Sequence, residues 1–424
     1  LRRQNAARRV RLAAPSGDRI APAARMTELR RIFADLHVHI GRADNGQPVK
    51  ISASRDLTFR SIAQEASERK GVHLIGVIDC HSPAVQADIE RCLETGEMEE
   101  AAGGGIRYRD TVILLGAEME VREEGGGPFH LLGYLPDLRS MKQWTAWMEP
   151  RMKNVMLSSQ RLRTSARELQ AELLALGGLL VPAHVFTPHR GLLGCSADRL
   201  ADRLGPDGIA AVELGLSADA DMADRISELG RYPFLTNSDA HSTGMIGREC
   251  NELLLAEPSF AEWAKALRGQ DGRGIAANYG LHPELGKYHT TYCTACRKAV
   301  SATATGEAAA EEACPSCGSR KLVRGVAGRI DQLADRERPV HPANRAPYRP
   351  QVPLSFFPGV GPALRDRLIA AAGSEMDVLH RAPEERLATA AGAKIASAIL
   401  AAREGRLAFT PGSGGGYGKI ASPF

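Results

Sequence analysis

The chain has 424 residues, a formal net charge of +4, and 43% hydrophobic and 25% charged residues. That length carries two or three domains, and the balance is that of an ordinary globular protein rather than a disordered or fibrous one. The charge is too small to name a partner, and no apolar run is long enough to cross a bilayer, so no membrane role is expected.

Residues 1–28 are rich in Arg and Ala without an apolar centre, which predicts a disordered tail rather than a secretory signal. The first buried strand, Ile32-Phe33-Ala34, runs into Asp35-Leu36-His37-Val38-His39. Side chains at i and i+2 share a strand face, so His37 and His39 point the same way, as half of a metal site would. The pattern then recurs. Leu74 to Ile78 ends in Asp79-Cys80-His81, and Val112 to Ala117 ends in Glu118. His130 opens Leu131 to Tyr134, Leu179 to Ala183 ends in His184, and Ala210 to Val212 ends in Glu213. Phe234 to Thr236 leads to Asn237-Ser238-Asp239-Ala240-His241. Helical stretches are expected at Phe59 to Lys70, Pro150 to Leu176 and Ser259 to Leu267. Parallel strands alternating with helices bring such ends to one rim, so the expectation is an α/β fold with imidazoles and carboxylates gathered there. That is a ligand set for zinc, manganese or iron.

Of eight cysteines, Cys80, Cys92, Cys195 and Cys250 stand singly. The pairs Cys293-x-x-Cys296 and Cys314-x-x-Cys317 have the spacing of a zinc ribbon, expected over residues 287–325 with one structural zinc. This usage suits a reducing compartment, so a cytoplasmic location is expected. Residues 326–352 read as a basic, Pro-rich, extended linker. Phe357-Pro358-Gly359-Val360-Gly361-Pro362 precedes a helical stretch, and Ala391-Gly392-Ala393-Lys394 precedes another. Both resemble the helix-hairpin-helix family, in which the hairpin offers backbone N–H groups to a DNA phosphate. This implies an α-helical DNA-binding domain at 353–406, with Gly359, Gly361, Arg365 and Lys394 against phosphates. Residues 407–424 read as a flexible glycine-rich tail, since Ile420 follows Lys419 where a nucleotide loop needs Ser or Thr.

Taken in order, Asp-x-His-x-His at 35–39, Asp-x-His at 79–81, Gly-x-Glu at 116–118, His184 and Ser-Asp-Ala-His at 238–241 resemble the PHP (polymerase and histidinol phosphatase) superfamily of metal-dependent phosphoesterases. The order and spacing cover residues 33 to about 282, which implies a phosphoesterase domain over residues 29–286. With the ribbon and hairpins added, the chain resembles the endonuclease Q family within that superfamily. The resemblance implies a distorted TIM-like (β/α)7 barrel holding two or three divalent ions (zinc, manganese or magnesium). It implies that the catalytic groups His37, His39, Glu118 and Asp239 hold one ion, and that Glu118, His130 and His184 hold a second, with Glu118 bridging. His81 and His241 are implied for a third. Many relatives carry a further His soon after the first motif; here the stretch is Gly41-Arg42-Ala43-Asp44, which leaves Asp44 as the candidate. Asp35, Asp79 and Glu213 are expected to orient the ligand histidines.

The implied activity is a DNA endonuclease that cuts 5′ of a deaminated base (uracil, hypoxanthine or xanthine) or an abasic site. It uses metal-activated water and leaves a 3′-hydroxyl and a 5′-phosphate. The target nucleotide is expected to be flipped out and read by Ser217, Asn237 and Ser238. The expected partners are damaged DNA and other repair or replication proteins, and the expected state is a nucleoid-associated monomer. Two other readings compete. A small-molecule phosphatase of histidinol-phosphate type gives no role to the ribbon and hairpins. A non-catalytic DNA-binding scaffold sits badly with a nearly complete ligand set.

Overall fold

The computed structural model describes residues 28–300 and 313–420, so the expected N-terminal tail lies outside them except for Glu28. In chain order come β1 (Arg30–Val38), α1 (Phe59–Glu65), β2 (Leu74–Val77), α2 (Pro83–Glu94), β3 (Glu99–Glu100) and β4 (Ile106–Tyr108). Then follow β5 (Thr111–Val121), β6 (Phe129–Leu135), α3 (Leu138–Met148), α4 (Ala166–Ala175) and β7 (Leu179–Pro182). The N-terminal unit closes with β8 (Val212–Glu213), α5 (Ala220–Ala223), β9 (Phe234–Leu235), β10 (Cys250–Leu255), α6 (Phe260–Leu267) and β11 (Gly274–Gly280).

β2, β5, β6 and β7, and β1 from Ile32 onward, are buried on both faces, which is why they read as apolar runs rather than as alternating ones. Ile32, Ala34 and Leu36 of β1 enter one core with Trp263 of α6, while Phe33 enters the other. β1 pairs in parallel with β2, and β2 with β5. β6 is antiparallel to both β5 and β7. β8 pairs in parallel with β9. Single parallel bridges join β7 to the segment just before β8 (Leu180 with Ile209) and β1 to the loop after β9 (Val38 with Ala240). The result is a mixed α/β frame in which the seven strands carrying the candidate ligands follow one another, with continuous pairing interrupted at those two seams. The expectation of uniformly parallel strands therefore fails at β6. Because β6 runs backwards, its first residues, not its last, lie at the shared rim, and His130 stands opposite Glu120 of β5.

The expected helix over Pro150 to Leu176 is also shorter. Only α4 forms, capped by the Ser165 side chain on the Glu168 N–H, and residues 152–165 are a loop that enters the site.

The second half begins with a three-stranded ribbon of β12 (Tyr292–Cys293), β13 (Lys298–Ala299) and β14 (Leu322–Val323). The stretch expected as an extended linker instead folds onto the first half. It contains α7 (Val326–Leu333) and β15 (Tyr348–Pro350), which extends the main sheet beside β11. Two of its cations are paired there: Arg345 meets the buried Asp224 at 2.7 Å and Arg329 meets Asp198 at 2.6 Å. Four helices follow, α8 (Pro362–Ala372), α9 (Glu375–His380), α10 (Glu384–Ala391) and α11 (Ala393–Arg403). The glycine-rich tail departs from its expectation as well. It forms a hairpin of β16 (Phe409–Thr410) and β17 (Lys419–Ile420) that docks on residues 284–290. No helix among the described residues is long and apolar enough to cross a membrane.

Candidate metal centre and its cavity

The strand ends place three triads of ligand atoms within 4.8 Å of one another: His37, His39 and Glu118; Glu118, His130 and His184; and His39, Asp239 and His241. Asp239 Oδ1 also lies 3.4 Å from His37 Nε2 and 3.5 Å from His39 Nε2. His184 Nε2 is 3.5 Å from Glu118 Oε1. These gaps are wide for hydrogen bonds and close to the spacing of ligands around an ion bound at about 2.0–2.2 Å. His37 Nε2 and His39 Nε2 are buried with no hydrogen-bond partner. Buried polar atoms are rarely left so, and an ion between them would satisfy both. The residues fit divalent metal, with Glu118 shared by two triads.

The other faces of the two imidazoles are tied down. His39 Nδ1 donates to Asp79 at 3.0 Å, and Asp79 also accepts the Ile40 N–H at 2.7 Å. His37 Nδ1 donates to Glu213 at 3.0 Å. Glu213 further accepts the His184 N–H at 2.9 Å and the Asn237 amide at 2.8 Å. Each carboxylate thereby fixes the tautomer that leaves Nε2 free. Asp35 instead holds the backbone, accepting N–H groups from Ser238 at 3.0 Å and Gly247 at 2.8 Å.

Two implied ligands of a third ion stand apart. His81 joins no triad among the described residues, and its Nε2 faces Leu157 O at 3.3 Å. Asp44 is drawn away into an ion pair with Arg60 at 2.7 Å. His241 therefore shares its triad with Asp239 and His39 rather than with His81.

Burial alone would drive His37 towards neutrality, but Glu213, Asp239 and Glu118 outweigh it and lift its pKa to about 10. Burial also disfavours the charged carboxyls, yet His39 brings Asp79 down to about 2, and His130 and Lys50 hold Glu118 well below the usual range. Asp79 and Glu118 thus stay ionised and demand cations. Backbone strain gathers here too: His184 and Asp239 hold φ values of +28° and +47°. Such angles cost about 1–3 kcal/mol each and concentrate at functional sites.

The rim opens into a cavity of about 490 Å³. Ser217 and Asn237, the residues assigned to base reading, both line it. The Ser217 hydroxyl oxygen accepts the Tyr288 N–H at 3.3 Å and keeps its own proton to donate. Asn237 is 1% exposed and already holds Glu213 and the Leu36 N–H. Ser238 is a correction: it is fully buried, its N–H donates to Asp35, and it faces β1 rather than the cavity.

Other groups carried no sequence signal. Lys50 Nζ donates to Glu118 at 3.1 Å, and Ser159, from the loop expected as helix, bonds both. Arg248, Lys287 and Tyr417 also line the cavity. Each sits in a segment without periodicity, and Tyr417 lies in the stretch read as a free tail.

Away from the rim, Cys293 and Cys317 Sγ are 3.7 Å apart and Cys296 and Cys314 Sγ 3.6 Å apart. Disulfide sulfurs would be about 2.05 Å apart. The observed spacing is near the edge of a tetrahedron of ~2.3 Å zinc–sulfur bonds, so the four thiols fit one zinc. At the helical end, Gly359 has φ +87° and Gly361 precedes α8, both exposed. Gly392, φ +85°, precedes α11 in the same way. Lys394 is exposed there, whereas Arg365 is half-buried and leans towards Gly244.

No protein-family model matches the chain. The uncharacterized protein YqxK of Bacillus subtilis is 49% identical over 395 residues, covering 92% of this chain and all of that one. The lesion-specific endonuclease PfuEndoQ from Pyrococcus furiosus superposes with a TM-score of 0.80 at 32% identity, over 93% of this chain and 96% of that one. Endonuclease Q in complex with a 27-mer duplex substrate with an abasic lesion at the active site gives 0.79 at 32% identity, over 93% and 97%. Fold and rim together define a hydrolase whose residues fit a divalent-metal centre. Within that class, the chain belongs to the endonuclease Q family.

Proposed function

We propose that this protein is a DNA repair endonuclease. It hydrolyses the phosphodiester 5′ of a deaminated base (uracil, hypoxanthine or xanthine) or an abasic site, with the target nucleotide flipped into the cavity. The observation that carries the reading is the likeness over 93% of the chain to an endonuclease Q held on a duplex with an abasic lesion at its active site. The ligand triads, which that likeness alone would not require, supply the means.

His37, His39, Glu118 and Asp239 would hold one ion, and Glu118, His130 and His184 another. Divalent ions bound there supply neutralisation of the phosphodiester charge and activation of water. The chain's own residues do the rest. Asp79 and Glu213 keep His39 and His37 in the tautomer with Nε2 free. Lys50 and Ser159 hold the Glu118 carboxylate in place from the other side. The Ser217 hydroxyl, at the cavity wall, donates to a base edge, and Asn237 keeps the floor rigid beneath it. The helix starts at Gly359, Gly361 and Lys394 contact phosphates, which carry no base identity, so they add affinity without choosing the lesion.

The test is nicking of end-labelled duplexes carrying uracil, hypoxanthine, xanthine, an abasic site or no lesion, with and without chelator. The expected result is cleavage 5′ of the lesion that chelator abolishes. Turnover of phosphate monoesters with every duplex left intact would overturn the proposal.

A further inference from the structure

Four Lys or Arg side chains border the cavity: Lys50, Arg190, Arg248 and Lys287. Two are neutralised in place, Lys50 by Glu118 at 3.1 Å and Arg190 by Glu120 at 3.2 Å. Arg248 and Lys287 pair with no carboxylate among the described residues. Both lie against one ring instead: Lys287 Nζ is 4.5 Å and Arg248 Cζ 5.5 Å from the Tyr417 centroid. Arg248 is only 7% exposed. Its Nε donates to Ser238 O at 2.8 Å, in the loop that carries Asp239, and a second nitrogen donates to the Tyr417 hydroxyl. A guanidinium taken this far out of water with no carboxylate in ion-pair contact is costly, and contact with an aromatic face offsets only part of that cost. An anion in the cavity would offset the remainder.

Tyr417 reaches this place because the C-terminal hairpin docks tightly. Gly412 N–H donates to Glu284 O at 2.6 Å, Gly418 to Leu285 O at 3.0 Å and Gly415 to Lys287 O at 3.2 Å. A side chain at Gly414, which has φ +60°, would collide with the Tyr292 ring. The glycines permit the close approach of the two backbones.

We propose that Arg248 and Lys287, set against the Tyr417 ring, form a subsite for a DNA phosphate flanking the scissile bond. Tyr417 is then a positioning residue that makes the C-terminal hairpin part of the active site. This deepens the nuclease reading above and rests on it. The subsite shares its cavity with Asp239 and His241, so the phosphate it takes is a neighbour of the one under attack. The planar fork of Arg248 suits two phosphate oxygens, and Lys287 adds a point charge.

The experiment is a salt titration of binding by the full-length protein to an abasic duplex. Single methylphosphonates remove the charge of one backbone position at a time. Lys287→Gln and Arg248→Gln should each weaken binding by about tenfold and lower the magnitude of the salt slope by about one. One methylphosphonate position should weaken wild type clearly more than it weakens either variant, in which one of the two cations remains. Tyr417→Ala should reproduce the loss, whereas Tyr417→Phe, which keeps the ring under Lys287, should retain the Lys287 share of the slope. Arg248 also holds the Asp239 loop, so Lys287→Gln, which bonds no rim side chain, decides the matter. An unchanged slope in that variant, or methylphosphonate losses equal in wild type and variants, would overturn the proposal. Coupled phosphate binding without nicking would overturn the nuclease reading and leave the subsite standing; nicking without coupling would do the reverse.

Discussion

Lys70 Nζ lies 2.7 Å from the Glu375 carboxylate, with the two side chains 2% and 8% exposed. Lys70 ends the turn after α1, and Glu375 opens α9, so this buried ion pair joins the sheet-bearing half to the helical end. Beside it, His380 stacks on Phe33 of β1 at 5.2 Å and meets the Tyr279 ring at 4.2 Å. The helices are docked on the first half rather than tethered to it.

Breaking one partner of such a pair leaves a buried charge and costs about 3–5 kcal/mol. Lys70→Met should therefore destabilise the protein by that amount in chemical denaturation. Lys70→Met/Glu375→Leu should recover much of the loss. A double variant no more stable than the single one would mean that the unpaired Glu375 is not the source of the cost.

His380 makes the same interface sensitive to acid. Burial, then Arg403, Arg381 and Arg349, hold its pKa down at about 3, and its Nε2 donates to Gln351 at 2.7 Å. An unfolded histidine titrates near 6.5. Between those values the unfolded chain binds the extra proton, so stability is present above about pH 6.5 and falls as the pH drops towards 3. The limit is about 1.4 kcal/mol per pH unit. Unfolding free energies at about pH 7.5 and 5.5 should differ more for wild type than for His380→Gln; equal differences would exclude His380 as the source.

Cys293→Ser or Cys317→Ser should release one zinc per chain and loosen the ribbon of β12, β13 and β14, because binding energy at a closed four-thiolate site is folding energy. Metal content by mass spectrometry, with limited proteolysis, checks both. Full zinc retention by both variants would exclude the cysteine cluster as its site.

Asp239→Asn should reduce nicking to background while duplex binding stays within about threefold, since it stands among the ligand triads and not at the helical end. Glu213→Gln should be milder, losing about 10–100-fold in activity or metal affinity, because it orients His37 rather than meeting the ion itself. Single-turnover rates at rising metal concentration separate the two. Rescue of Asp239→Asn by metal but not of Glu213→Gln would invert these roles.

Much of the site was legible in the sequence because a polar residue at the end of an apolar strand has few places to go. Its neighbours must be buried, so it must stand at the rim, and seven strands repeat that constraint from His37 to His241. The CxxC pairs were legible for a similar reason, since their spacing alone turns two thiolates towards one point. Tertiary structure decided the remainder. An apolar run reads the same in either direction, so only the pairing of β6 with β5 and β7 shows it antiparallel and places His130 at the rim. Residue type could not separate Glu118, which joins two of the ligand triads, from Glu213, which grips His37 from behind; that depends on which side of each imidazole the carboxylate reaches. Lys50, Ser159 and Tyr417 come from loops, where no periodicity records the facing partner. Tyr417 meets Arg248 across 169 residues of chain, and that contact exists only because a run of glycines lets one backbone settle on another.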